Sequence, residues 1–139
     1  MRSPWARRRA QRQLAIVRAR QVLVSLPDID WHDPQSEEQG RQQLYNVAAI
    51  VDRALGGVRA GSDEAQALKY AQAWLTAWLQ GWGDPALIPT AHAAPMYERL
   101  VAAMRTVSLR LASGGDADPP PNPDDPEARR ELQRLGPDR

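Results

Sequence analysis

Residues 33–57, "DPQSEEQGRQQLYNVAAIVDRALGG", contain the signals of a long amphipathic helix. Asp33 and Pro34 predict its start, because an aspartate side chain accepts hydrogen bonds from the free backbone N–H groups and proline fits the first helical position. Apolar residues then recur at spacings of three and four, which predicts one buried face: Leu44, Val47, Val51 and Leu55. Gly56 and Gly57 predict the end of the helix.

Three further helices are predicted around this one. Ser3, Ser62 and Pro95 predict their starts, while Pro27, the motif "GWGDP" and Gly114 predict their ends. The third and fourth helices have apolar stripes of the same spacing, formed by Leu68, Ala71, Leu75 and Leu79 and by Tyr97, Leu100, Val101, Met104, Val107 and Leu111.

The pattern of the whole chain predicts an all-α fold. No segment alternates apolar and polar residues over a useful length, so no sheet is expected. Four main helices joined by short loops indicate a helical bundle over residues 1–113. Residues 114–124 are acidic and rich in proline, which predicts an extended linker. Residues 125–136 predict a short C-terminal helix, and residues 137–139 form a tail.

The short C-terminal helix has its own start and end signals. Asp125 and Pro126 predict its start, and Gly136 predicts its end. Its apolar face consists of Ala128, Leu132 and Leu135. A helix of this length is only marginally stable alone. We therefore expect it to dock on a groove, either of this bundle or of a partner, with Leu132 and Leu135 at the interface.

The composition excludes several classes of protein. The chain has 139 residues, a formal net charge of +1 and no cysteine, so disulfide scaffolds and thiolate metal sites are excluded. No run approaches the roughly 18 apolar residues of a membrane span, and we expect a cytoplasmic protein without membrane contact. The sequence has no nucleophile elbow, phosphate-binding glycine loop or histidine pair at metal spacing. These features predict a protein that is not an enzyme and uses no cofactor.

Positive charge is concentrated at the start of the chain. Residues 1–20 contain seven arginines and no acid, whereas residues 21–40 contain five acids and no lysine or arginine. Two neighbouring apolar stripes are predicted on the first helix, with the arginines on the polar side opposite both. The stripes are Ala10, Leu14, Val17 and Val24, and Ile16, Ala19, Leu23 and Leu26.

Guanidinium groups on a rigid helix suit the phosphates of nucleic acid, because each group can donate two parallel hydrogen bonds. Neutralising several phosphates releases counterions and gives an affinity that does not depend on sequence. The candidate nucleic-acid-binding residues are Arg7, Arg8, Arg9, Arg12, Arg18 and Arg20. The alternatives for this helix are an acidic protein partner or simple solvation.

Aromatic residues recur at every fourth position of the third predicted helix. The four residues are Tyr70, Trp74, Trp78 and Trp82. Successive rings drift by about 40° around the helix axis and form a slanted row. Because the row borders the apolar stripe, we expect these residues in the core or at a subunit interface. Stacking on the bases of a single strand and a small-ligand pocket are the alternatives.

The segment "DIDWHD", residues 28–33, combines three carboxylates with an imidazole, and these are ligand types for divalent metals. No second group of such residues stands elsewhere in the sequence, and Asp33 is already assigned as a helix cap. We therefore predict no metal site. Trp31 is expected to close one end of the bundle.

A small all-helical domain without catalytic residues, containing the arginine helix "ARRRAQRQLAIVRAR" at residues 6–20, resembles the small subunits of multi-subunit CRISPR effector complexes. The resemblance covers residues 3–113. It implies stacking along a crRNA-guided complex, contact with the backbone of the guide or target strand without sequence specificity, and self-association along a filament.

These observations predict a non-catalytic subunit of a larger nucleoprotein assembly. Its partners would be single-stranded RNA or DNA and other protein subunits, with self-association as a further expectation. The alternative is a phage or secretion-apparatus structural adaptor, whose arginine-rich helix and C-terminal helix both dock on proteins. A sequence-specific DNA binder fits less well, because a helix-turn-helix uses two short helices joined by a tight turn.

Overall fold

The computed structural model describes residues 3–82 and 90–113 of the chain. This part contains helices and no strand, so the predicted all-α bundle of four main helices is confirmed. The predicted linker and C-terminal helix lie outside the described residues. The four helices are α1 (Pro4–Leu23), α2 (Pro34–Gly57), α3 (Asp63–Ala77) and α4 (Thr90–Ala112), and a π-helical turn, Trp78–Trp82, extends α3.

The three helix starts that polar side chains predict are confirmed. Ser3, Asp33 and Ser62 each have an extended backbone and accept a hydrogen bond from the first turn of the helix that follows. The donors are the backbone N–H groups of Ala6 at 3.1 Å, Gln35 at 3.0 Å and Ala65 at 3.1 Å. Each bond satisfies a backbone donor that the helix itself leaves free.

One predicted helix end differs from the structure, and another is confirmed with a different cap. The first helix ends at Leu23, before Pro27, where the backbone N–H of Ser25 donates to the carbonyl of Val22 at 3.2 Å in a turn. The second helix ends at Gly57, as predicted, and has Val58 as its C-cap in an extended conformation. Its glycines are therefore not the left-handed residues of a helix stop; within the described residues Gly61, with φ of 80°, has that conformation.

The fourth helix begins at Thr90, so the predicted start at Pro95 was wrong. Pro95 lies inside the helix, where it has no N–H group to donate to the preceding turn. The helix nevertheless continues on the N-terminal side of the proline. Ala93, before the proline, and Met96 and Tyr97, after it, are all buried, so packing against the bundle holds the helix on both sides of Pro95.

The helices form a square in which each contacts its neighbours. α1 packs on α2, α2 on α3, α3 on α4, and α4 on α1, while among the described residues no two Cα atoms of diagonal helices lie within 8 Å. Two hydrogen bonds show that α4 runs antiparallel to α1. The Tyr97 hydroxyl donates to the carbonyl of Pro27, and further along α4 the Ser108 hydroxyl donates to the carbonyl of Arg20 at 3.1 Å.

The core lies along the common axis of the square and receives side chains from all four helices. The largest fully buried side chains are Leu23, Leu44, Leu68, Leu75, Leu100, Met104, Val51 and Val107. The predicted stripes of the second, third and fourth helices thus face the core, with Leu55, Leu79 and Val101 partly buried against it. Burial of each such side chain stabilises the fold by about 1.5–3 kcal/mol.

An aromatic cluster closes the end of the bundle beneath the α1–α2 connection. Trp31 makes edge contacts with Trp78 and Tyr97, with ring centroids 5.9 and 5.5 Å apart, and Trp78 lies 5.3 Å from Tyr97. The expected position of Trp31 at one end of the bundle is therefore correct. Burial raises the pKa of the Tyr97 phenol, and the nearby charge of Asp28 raises it further.

The α1–α2 connection lies close to α2 at Gly40. A Cβ atom at this position would lie 2.7 Å from both Cγ1 and Cδ1 of Ile29, so the absence of a side chain permits the contact. At Gly56, on the same helix, no neighbouring atom lies within 4 Å of the place that a Cβ would occupy. Contact with Ile29 therefore requires glycine at position 40, whereas no neighbouring atom requires it at position 56.

We expect Gly40→Ala to be less stable than Gly56→Ala by at least about 1 kcal/mol. Both substitutions gain a similar helix propensity, roughly 1 kcal/mol. Only the alanine at position 40 must displace Ile29, and overpacking of this kind costs about 1–3 kcal/mol. Urea denaturation of both variants measures the difference in the free energy of unfolding. Equal stability of the two variants would contradict the close contact.

The buried Tyr97 predicts a loss of stability in alkali. We expect Tyr97→Phe to cost about 1 kcal/mol at pH 7, because the bond to Pro27 is lost. The pKa of Tyr97 is raised in the folded state above its ordinary value of 10.0. Its contribution is therefore intact below pH 10 and declines above it, as the unfolded chain releases the proton, by up to about 1.4 kcal/mol per pH unit. Urea denaturation from pH 7 to 11 tests this, and a pH-independent difference between the two proteins would refute it.

Candidate nucleic-acid interface on the first helix

The sequence of α1 determines its start and its charge. Ser3 caps the helix, Pro4 occupies its first position, and no acid lies in the first turn. The helix contains six arginines and no acidic residue at all, so no ion pair can form within it. The helix, about 30 Å long, therefore has no acid of its own to offset its positive charge.

Only one of the two apolar stripes predicted for α1 faces the core. Ala19 and Leu23 are buried, with Ile16 and Leu26 partly buried beside them. The other stripe, predicted beside it on one apolar side of the helix, faces solvent with its large residues exposed: Leu14 to 68%, Val17 to 43% and Val24 to 51%. At 100° per residue, Leu14 lies on the side of the helix opposite Leu23, so both cannot face the bundle.

This rotation of α1 also changes the predicted arrangement of the arginines. They do not form a polar face opposite the apolar residues. Arg7 and Arg18 border the exposed Leu14, being within about 40° of it around the axis, while Arg9 and Arg12 lie on the side of Leu23. The arginines thus lie all around the helix. The stripe that contains Leu14 occupies the solvent side on which they were expected.

Exposure divides the six predicted binding residues into two groups. Five of the side chains are exposed, namely Arg7, Arg8, Arg9, Arg12 and Arg18. Arg20 is partly buried against α4, its carbonyl accepts the bond from Ser108, and its Nε is buried without a hydrogen-bond partner in the described part of the chain. A phosphate therefore has easier access to the first five than to Arg20.

The first two turns of α1 extend beyond the end of α2. A Cβ at Gly57, the last residue of α2, would lie 3.5 Å from Cγ of Arg12. Because α1 and α2 run in opposite directions, the residues before Arg12 continue past that end of α2. Arg7, Arg8 and Arg9 lie in this projecting part of α1, where a ligand can approach them from more than one side.

Trp5 is a further candidate site residue, outside the set that the sequence predicts. Its side chain is 64% exposed, and the guanidinium of Arg9 lies 5.6 Å from the centroid of its ring. An exposed indole beside arginines can stack on a nucleic-acid base. The signal was present in the sequence as an aromatic residue two positions before the triple arginine.

The aromatic row of the third helix is placed in a different environment. Trp74 and Trp78 are each only 3% exposed, and Tyr70 is partly buried against the core. The indoles of Trp74 and Trp78 fill the interior and cannot meet a base. The Trp82 side chain, like Leu132 and Leu135, lies outside the described part of the chain.

The "DIDWHD" segment uses its polar groups to shape the α1–α2 connection. Asp30 accepts a bond from the backbone N–H of His32 at 3.0 Å, Asp33 caps α2, and Ser36 accepts one from the N–H of Asp30 at 2.9 Å. Over the described ranges, no three metal-ligating side chains come together in one group. Within the same ranges, no helix has both the length and the apolar character needed to cross a bilayer.

Comparison of the chain with protein-family models, with curated proteins and with solved structures finds no match. The evidence on function therefore comes from the fold and from the geometry of α1.

The exposure of Leu14 predicts that its substitution is nearly silent in the bundle. In a chain that ends after Ser113 and keeps the four described helices, we expect Leu14→Ser to change the free energy of unfolding by no more than about 0.5 kcal/mol, as for other surface substitutions. The matched control is Leu23→Ala on the opposite face, which should cost about 2–5 kcal/mol. Chemical denaturation monitored by circular dichroism gives both values. A large loss on Leu14→Ser would mean that α1 is rotated differently.

Proposed function

We propose that this protein is a non-catalytic cytoplasmic subunit of a nucleoprotein assembly that binds the backbone of single-stranded RNA or DNA through α1. The observation that supports the proposal best is the exposure of five arginines on a helix without acidic residues. One such assembly is the CRISPR effector complex whose small subunits the sequence resembles, and membership of it stays a prediction.

The position of the arginines on α1 favours an anionic partner over a role in folding. Arg7, Arg8 and Arg9 lie close to the positive end of the helix dipole, where acids rather than bases stabilise a helix. They make the helix electrostatically less favourable, and α1 offers no acid to offset them. A phosphate backbone compensates this charge and gains several charge-assisted hydrogen bonds.

The mixed character of the projecting end also suits a single strand. Trp5 and Arg9 together provide a ring for stacking and a cation for phosphate within one helical turn. A duplex hides its bases, so only the arginines would contact it. The arrangement therefore supports a preference for single strands over duplex at equal ionic strength.

The exposed apolar residues of the bundle favour a second candidate function. Leu14, Val17 and Val24 form one row of exposed large apolar side chains on α1, and a continuous apolar row suits contact with protein rather than with phosphate. A structural adaptor that docks through α1 on other subunits uses these residues. It predicts assemblies that form without nucleic acid.

Fluorescence anisotropy of a labelled single-stranded RNA, a single-stranded DNA and a duplex, titrated over a salt series, tests the main proposal. We expect Arg7/Arg8/Arg9/Arg12→Gln to weaken single-strand binding at least tenfold. We also expect it to reduce the slope of log affinity against log salt by up to about 3, as four lost phosphate contacts would.

A matched control removes the same charge elsewhere. Arg53, Arg59, Lys69 and Arg105 are exposed on α2, the α2–α3 turn, α3 and α4 respectively, and their joint change to glutamine also removes four positive charges. We expect this variant to lose much less affinity than the α1 variant. Equal losses of affinity in the two variants would mean that binding depends on net charge and not on α1. No binding by the wild-type chain at low salt, together with concentration-dependent oligomers in light scattering, would favour the adaptor.

A further inference from the structure

The solvent side of α1 has a row of residues with the spacing of a coiled-coil seam. Ala10, Leu14, Val17, Gln21 and Val24 follow one another at steps of four, three, four and three. This is the heptad repeat by which one helix packs on another. Three of the five are exposed large apolar residues, so within the described part of the chain the row faces solvent.

The C-terminal segment repeats this spacing at Ala128, Leu132 and Leu135. These three match Ala10, Leu14 and Val17 in order and distance, with alanine and leucine repeated at the first two positions and leucine in place of valine at the third. We propose that residues 125–136 form a short helix that packs on this row of α1, parallel to α1, as a fifth helix of the bundle. The proposal concerns the free protein and does not depend on nucleic-acid binding.

The path of the chain permits this position. α4 ends at Ala112, and the bond from Ser108 to Arg20 places that end beside the middle of α1. Residues 113–124 connect it to the C-terminal segment, and a chain of that length spans up to about 40 Å when extended. A helix that reverses direction after α4 is antiparallel to α4 and therefore parallel to α1.

Charge favours this segment over a second copy of the protein on the same row. Two copies of α1 would bring twelve arginines together without one acid, since each helix has six. In the parallel register that places Leu132 opposite Leu14, Glu131 and Arg18 occupy the flanking positions that pair across a coiled coil. Asp124 and Asp125 then lie next to the projecting, arginine-rich end of α1.

Tethering lowers the cost of the contact. The row and the segment belong to one chain, so docking needs no association between molecules, and a linker of about a dozen residues gives a millimolar effective concentration. A contact of three apolar pairs, too small for a stable dimer between separate chains, is then sufficient.

Paired cysteines test the docking in the full chain, which contains no cysteine of its own. Ala10→Cys/Ala128→Cys replaces two small side chains that the parallel register sets opposite each other. Under mild oxidation we expect a disulfide within one chain, seen as a faster-migrating monomer on a non-reducing gel and as one joined peptide by mass spectrometry.

Two controls separate docking from chance encounter along the tether. Val24→Cys/Ala128→Cys moves the α1 cysteine about 21 Å along the same row, and we expect cross-linking at least tenfold slower. Leu132→Asp/Leu135→Asp, added to the Ala10→Cys/Ala128→Cys pair, removes the apolar contact. It should slow cross-linking at least tenfold while the thermal unfolding of the described bundle remains cooperative.

Each other outcome overturns the proposal. Equal rates for the two cysteine pairs, or no effect of the aspartates, would mean that the tether alone brings the residues together. Disulfide-linked dimers in place of the monomeric product would assign the row to a second copy. A lack of any cross-link would show that the segment does not reach the row in this register.

Discussion

A helix in a four-helix square can bury only one side, and α1 buries the side of Ala19 and Leu23 against its two neighbours. The exposed surface of α1 follows from which side of the helix is buried. Once those residues face the core, Leu14 must face solvent, because it lies on the opposite side of a helix with 3.6 residues per turn. The arginines then occupy the remaining positions around the axis, and Arg7 and Arg18 border an apolar row.

Two hydrogen bonds from α4 hold α1 and the connection that follows it in place. The hydroxyls of Tyr97 and Ser108 both donate to backbone carbonyls, of Pro27 and Arg20, at separate levels of the α1–α4 contact. The bond to Arg20 fixes the position of α1 beside α4, and the bond to Pro27 fixes the start of the α1–α2 connection. The apolar contacts of Leu23 decide the rotation of α1. Together they determine which residues of α1 a partner can reach.

The same helix thus presents two kinds of chemistry to the solvent. The projecting end, with Arg7, Arg8 and Arg9, is suited to phosphate, while the row through Leu14 and Val17 is suited to another helix. A helix docked on the row would leave the projecting end free on its other sides but cover the approach to Arg18. Binding of a nucleic-acid backbone and docking of a helix therefore both use α1, but they use largely different side chains.

Much of the fold could be predicted from local signals. Caps such as Ser3, Asp33 and Ser62 work within one turn, and the apolar spacing of α2, α3 and α4 leaves each with one possible buried face, so the sequence by itself determined an all-α bundle and the arginine content of α1. It could not determine the rotation of α1, because two stripes of similar hydrophobicity compete for one contact. The tertiary structure decided that, and with it the exposure of Leu14, since burial depends on what the neighbouring helices offer at each level rather than on the helix alone.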